Sequence, residues 1–337
     1  MLNVGIIGAG RIGKVHAESI TYHVKGAAVA AIADPYMNDE TKKWAEGIGI
    51  SKISTNYKDI LEDKAIDAVL ICSSTDTHAD ISIEAIKAGK HVFCEKPISQ
   101  DLGKIKEVME TLKTSNVKFQ VGFNRRFDHN FEAVRKAVAD GKVGDVHLVK
   151  VTSRDPEAPP IEYVKVSGGM FLDMTIHDFD MVRYLTASDA VEIYANGTAL
   201  VNPAISEVGD IDTAIITIKL ANGSLAVIDN SRQAAYGYDQ RAEVFGSKGQ
   251  VAVTNDTAST AVISTADGIN GEKPLYFFLE RYMASFSKEV SLFVDAIAND
   301  TEVPVNINDG LQPVLMAKAA KKSLDENRPV ALSEITF

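Results

Sequence analysis

Three stretches of this chain carry residues whose types and spacing could do chemistry. The first is Gly168-Gly169-Met170-Phe171-Leu172-Asp173-Met174-Thr175-Ile176-His177-Asp178-Phe179-Asp180. On a helix Asp173 and His177 stand four apart and share a face, with Asp180 further along. A carboxylate one turn from an imidazole can orient the ring and stabilise its protonated form, which suits a general base. The same spacing also fits a surface ion pair or a helix-capping Asp. As a metal site the cluster is incomplete, because no Cys or second nearby His completes a ligand set, and no metal is expected.

The second stretch is Cys94-Glu95-Lys96-Pro97, directly after the apolar run His91-Val92-Phe93. The carboxyl end of a parallel strand is where ligands bind in open α/β sheets. A lysine held there could hydrogen-bond a substrate hydroxyl and lower its pKa. A solvated lysine and a turn-forming proline explain the same residues equally well. The third is Gly122-Phe123-Asn124-Arg125-Arg126-Phe127-Asp128. Its arginines could reach a bound ligand or simply form an interdomain salt bridge.

A fourth segment points to a cofactor. Asn3-Val4-Gly5-Ile6-Ile7-Gly8-Ala9-Gly10-Arg11-Ile12-Gly13 reads as a strand, a glycine-rich turn and the start of a helix. Gly8 is expected to take the tight turn, Gly10 to admit a pyrophosphate, and Gly13 to let helix and strand approach. The helix N-terminus offers free N–H groups and partial positive charge to phosphates. A second strand, Val29-Ala30-Ala31-Ile32-Ala33, ends in Asp34. That carboxylate lies about 20 residues on, placed for ribose hydroxyls. It would repel a 2′-phosphate, and no Arg stands beside it, so NAD is expected rather than NADP.

These groups must be held by a scaffold that composition already bounds. A length of 337 residues suggests two domains. Hydrophobic and charged fractions of 45% and 24% are those of a globular protein. A net charge of −11 argues against nucleic acid or an anionic membrane as partner. Cys72 and Cys94 lack C-x-x-C spacing and are expected to be reduced. The absence of a leader pattern or spanning apolar run makes the cytoplasm the expected location.

Strands are expected at 3–8, 28–33, 67–73, 91–94 and 117–122, alternating with helices near 12–24, 38–47, 76–88 and 101–115. This is the pattern of a doubly wound, Rossmann-type dinucleotide-binding domain over 1–122. Beyond it a second α+β domain, 123–337, is expected to carry a large, mainly antiparallel open sheet. Its helices are read near 127–140, 169–185, 283–299 and 308–325. Its strands are read near 145–154, 190–200, 211–220, 224–232, 240–246 and 249–254, with a hairpin at Asn222-Gly223.

In order along the chain stand G-A-G-R-I-G-x-x-H, E-K-P, G-F-N-R-R-F-D, S-R-D-P and G-G-x-F-x-D-x-x-I-H-D-x-D. The set resembles the Gfo/Idh/MocA oxidoreductase family, most of all its inositol 2-dehydrogenase branch. The resemblance covers essentially the whole chain. It implies NAD-dependent oxidation of a ring hydroxyl, with myo-inositol first and scyllo-inositol, D-chiro-inositol or an aldose as alternatives. A non-catalytic NAD sensor is the reading from another class, and its mark would be loss of Lys96 or His177. The resemblance makes Lys96 a catalytic and substrate-binding lysine, Asp173 and His177 the catalytic pair, and Lys96-Pro97 a cis bond. It also places Arg126 and Tyr236 in the substrate pocket and implies a homotetramer. Ser153 and Asp155 stand where some inositol dehydrogenases have His and Asn, which leaves the isomer open. The expected cofactor contacts are Gly8, Gly10, Arg11, Ile12, Gly13, Asp34, Ser73, His78, Glu95 and Lys96. The expected substrate contacts are Lys96, Arg126, Ser153, Asp155, Asp173, His177 and Tyr236.

Overall fold

The structure, a computed structural model, describes all 337 residues and divides into two compact units. The first comprises residues 1–127, 284–311 and Phe337. Its six strands are β1 (Leu2–Ile7), β2 (Ala27–Ala33), β3 (Lys52–Ser54), β4 (Ala68–Ile71), β5 (His91–Glu95) and β6 (Phe119–Gly122). All pair in parallel, in the order β3-β2-β1-β4-β5-β6. That order reverses between β1 and β4, so their carboxyl ends flank the crevice where a dinucleotide binds. The near-continuous apolar runs of β4 and β5 are buried on both faces, as a sheet covered on both sides requires. Ile6, Ile32, Leu70 and Phe93 form a core that Val290, Phe293 and Val294 complete from the helix Met283–Ala298.

The second unit comprises residues 128–283 and 312–336. Its sheet contains β7 (Val146–Arg154), β8 (Ala190–Thr198), β9 (Thr213–Leu220), β10 (Leu225–Ser231), β11 (Asp239–Gly246), β12 (Gly249–Val253) and a short strand at Val330–Ala331. They run β12-β11-β7-β10-β9-β8 and then Val330–Ala331, antiparallel except for the β7–β10 pair. Gly223, at φ +85°, turns the β9–β10 hairpin as its Asn-Gly sequence anticipates. Burial alternates strictly along β9, so one face packs on helices while Ile215, Thr217 and Lys219 point away.

The continuous helix expected over 169–185 is broken. Met170–Asp173 forms one short helix and Ile176–Thr186 another. At the break the Thr175 N–H reaches back five residues to Met170, and the His177 and Asp178 N–H groups bond only three residues back. The buried Thr175 hydroxyl donates to Asn230 Oδ1 at 2.7 Å, an anchor on β10. Short elements at Lys52–Ser54, Lys58–Glu62, Ile161–Ser167 and Pro203–Glu207 add to the expected set. An exposed hairpin of Val262–Thr265 and Gly268–Gly271 adds another. Each is too short to show a period in sequence.

Candidate active site

The glycine-rich turn fits a dinucleotide. Gly8 sits at φ +102°, and a Cβ there would lie 2.6 Å from the Cys72 carbonyl. A Cβ on Gly13 would stand 1.9 Å from the Gly8 oxygen, which is what welds helix to turn. A Cβ on Gly10 would meet nothing within 4 Å, so the backbone is open where a pyrophosphate would lie. The helix Arg11–Tyr22 that follows has no side-chain cap and no acidic residue in its first turn. Its partial positive charge is therefore left for an anion. The Asp34 carboxylate accepts from the Ala9 N–H and the Tyr36 N–H, both at 2.7 Å. Those bonds aim it across the turn while leaving lone pairs for ribose hydroxyls.

Lys96 follows the end of β5, and the Lys96–Pro97 peptide is cis. The Pro97 carbonyl is 2.9 Å from His78 Nδ1, and the other ring nitrogen faces the Ser73 carbonyl at 3.0 Å. His78 is buried, so its ring ties the Lys96 turn to the end of β4. Ser73 itself shares a hydrogen bond with Thr77. Glu95 turns its carboxylate inward, 2.7 Å from His16 Nε2. Arg126 donates to Asp309 at 3.0 Å.

In the second unit Asp173 is the centre of a polar group. It accepts from the Tyr163 hydroxyl at 2.7 Å and from Arg232 Nη1 at 3.0 Å. Arg232 is almost fully enclosed and has Asp155 within 4.0 Å as well. His177 lies beyond the helix break, but Met174 and Thr175 stay right-handed, so it remains about one turn from Asp173. Beneath them Asn230 links Thr175 to Asp178, donating to the latter at 2.8 Å. The Ser153 hydroxyl is buried and donates to Gln240 at 3.0 Å. Tyr236 is partly exposed, donates to Asp239 at 2.5 Å and accepts from Arg154. Burial and then the Asp239 carboxylate push the Tyr236 hydroxyl above its ordinary pKa. Arg154 pairs with Asp229, not with Asp155.

Tyr163, Arg232 and Asn230 escaped the sequence reading. Tyr163 sits near a proline-rich loop, and Asn230 lies in the end of β10, with Arg232 just beyond it, where the alternation reads as ordinary sheet. Only the fold brings them to Asp173 and Thr175.

Residues 2–123 match the family model described as oxidoreductase family, NAD-binding Rossmann fold, and residues 131–252 match the GFO/IDH/MocA C-terminal domain. The chain belongs to the Gfo/Idh/MocA oxidoreductase family. This Gfo/Idh/MocA member is 45% identical to the myo-inositol 2-dehydrogenase of Thermotoga maritima, covering 99% of both chains. The solved myo-inositol dehydrogenase of Corynebacterium glutamicum is 36% identical and superimposes with a TM-score of 0.93, covering 98% of this chain and 99% of that one. A scyllo-inositol dehydrogenase of Lactobacillus casei, solved with NAD(H) and scyllo-inositol, is 31% identical with a TM-score of 0.92, covering 99% of each. The Gfo/Idh/MocA assignment makes the first unit an NAD-binding Rossmann domain and the protein an oxidoreductase, in agreement with Gly8, Gly10, Gly13 and Asp34. No helix is long and apolar enough to cross a membrane.

Proposed function

We propose that the protein oxidises the C2 hydroxyl of myo-inositol to a ketone while NAD⁺ becomes NADH. The observation that carries this reading is the full-length similarity to a relative named myo-inositol 2-dehydrogenase. The resemblance of the E-K-P and D-x-x-x-H motifs to this branch supports Lys96, Asp173 and His177 as the catalytic residues. Bound NAD⁺ supplies the acceptor, at nicotinamide C4, for the hydride released from the substrate carbon. His177 takes the hydroxyl proton, and Lys96 stabilises the developing alkoxide. Asp173, itself held by Tyr163 and Arg232, stabilises the imidazolium that forms.

On this reading the first unit binds NAD through Gly8, Gly10, Arg11, Ile12, Gly13, Asp34, Ser73, His78 and the Glu95-Lys96 segment. Arg126, Ser153, Asp155 and Tyr236 belong to the substrate side, with Lys96, Asp173 and His177. The exposed apolar residues Val191, Ile215, Leu225 and Phe245 suit a covered sheet face, and the homotetramer implied by the family would cover them.

A second reading is the same chemistry on scyllo-inositol, favoured by the similarity to the Lactobacillus casei enzyme. NADH formation with myo-inositol, scyllo-inositol, D-chiro-inositol and aldoses separates the two. Turnover of myo-inositol above the others supports the first reading; preference for scyllo-inositol replaces it.

A further inference from the structure

Behind Lys96 the first unit encloses a polar cluster that the proposed chemistry does not use. It is built by His16 on the helix Arg11–Tyr22, Glu95 at the end of β5 and Glu289 on the helix Met283–Ala298. Their side-chain donor and acceptor atoms all lie within 4.8 Å of one another. His16 and Glu289 are 0% exposed and Glu95 is 9%. Both Glu289 oxygens, His16 Nδ1 and Gln120 Oε1 are buried without a hydrogen-bond partner. The Glu95 carboxyl lies against Gly122, where a Cβ would approach it to 3.0 Å. We propose that Glu289 stands here as a neutral carboxylic acid, a positioning residue that fills the space behind the Glu95–His16 pair and so supports the turn carrying Lys96.

The groups facing Glu289 are Glu95, His16, Gln120 (whose amide donates to the Glu289 carbonyl at 2.9 Å) and the Cys72 thiol, none a permanent cation. Two carboxylates so close and so enclosed cannot both ionise. His16 Nε2 is 2.7 Å from Glu95 and can donate to it, whereas neither Glu289 oxygen has a donor, so the added proton belongs on Glu289. Burial, then the Glu95 charge, drive Glu289 well above the ordinary carboxyl range. A divalent cation is the rival way to balance the cluster. Two ligands at about 2.0 Å in a tetrahedral set stand roughly 3.3 Å apart, so the 2.7 Å contact is too short for an edge of a tetrahedral zinc site.

The effect on turnover rests on the role proposed for Lys96; the protonation state does not, and two readouts test it without substrate. Infrared spectra of wild type and Glu289→Gln at neutral pH are compared for the carbonyl stretch of a protonated carboxylic acid. The band is expected in wild type and absent from the variant. Melting temperatures from pH 5 to 8 form the second readout. An acid whose pKa is raised on folding holds more protons folded than unfolded, so its contribution falls as pH rises above the ordinary carboxyl value. Glu289→Gln should therefore gain on wild type across that range. With turnover in hand, Glu289→Ala should lose at least about tenfold in kcat and Glu289→Gln restore most of it. Absence of the band overturns the proposal, as does a pH-independent difference in melting. A metal ion bound one per chain and lost in Glu289→Gln overturns it too. So does a Glu289→Gln protein that cannot fold, since the amide matches a neutral carboxylic acid in size and charge.

Discussion

Adding one methyl group at Gly10 and one at Gly13 should separate cofactor binding from stability. Gly10 has φ −70° and ψ −167°, which alanine adopts, and nothing within 4 Å of the new Cβ. Alanine starts a helix less well than glycine by roughly 0.5 kcal/mol, and it reduces the entropy of the unfolded chain by about the same amount. Gly10→Ala should therefore melt within about 2 °C of wild type. The methyl group, however, fills the space open to the pyrophosphate, and NAD affinity should fall at least about tenfold, or ~1.4 kcal/mol. Gly13→Ala differs in kind. Its Cβ would meet the Gly8 carbonyl oxygen at 1.9 Å, a backbone atom with no freedom to rotate aside. Helix and turn must separate, at roughly 1–3 kcal/mol by analogy with overpacked cores. That variant should lose both melting temperature and NAD affinity. Thermal melts and calorimetric titration with NAD⁺ give both quantities. A Gly10→Ala protein that binds NAD as wild type does would refute the placement of the pyrophosphate.

Other outcomes follow from the site. Asp34→Ala should weaken NAD and narrow the gap to NADP⁺, seen as a changed ratio of kcat/KM for the two coenzymes. Arg232→Met, by removing the guanidinium that donates to Asp173, should lower kcat by about tenfold or more, with Arg232→Lys recovering part of it in steady-state assays. Burial pushes the Cys94 thiol up to about 12, so Cys94 should resist iodoacetamide at pH 8 until denaturant is added, as peptide mass mapping would report.

The first unit was largely legible because its strands are long apolar runs separated by helices of clear period. Gly8, Gly10 and Gly13 each have a distinct steric reason that the motif spacing anticipates. The segment 284–311 reads as terminal helix, and only the fold shows that Val290, Phe293 and Val294 complete the core around Phe93. The break between Asp173 and His177 was not legible for a related reason. A period of 3.6 passes through both residues, and the side chain that captures Thr175 is Asn230, 55 positions away. A separation of 59 positions likewise hides Arg232 from Asp173. Local pattern reports the scaffold, whereas the partners that tune a carboxylate arrive from elsewhere in the chain.

The most direct test of the central claim follows NADH formation by wild type and His177→Ala with NAD⁺ and myo-inositol, alongside NAD titration of both proteins. Wild type should turn over myo-inositol, and the variant should lose roughly 10²–10⁴-fold in turnover with NAD affinity unchanged. A variant that turns over myo-inositol as wild type does, or a wild type that binds NAD and oxidises no polyol, would contradict that claim.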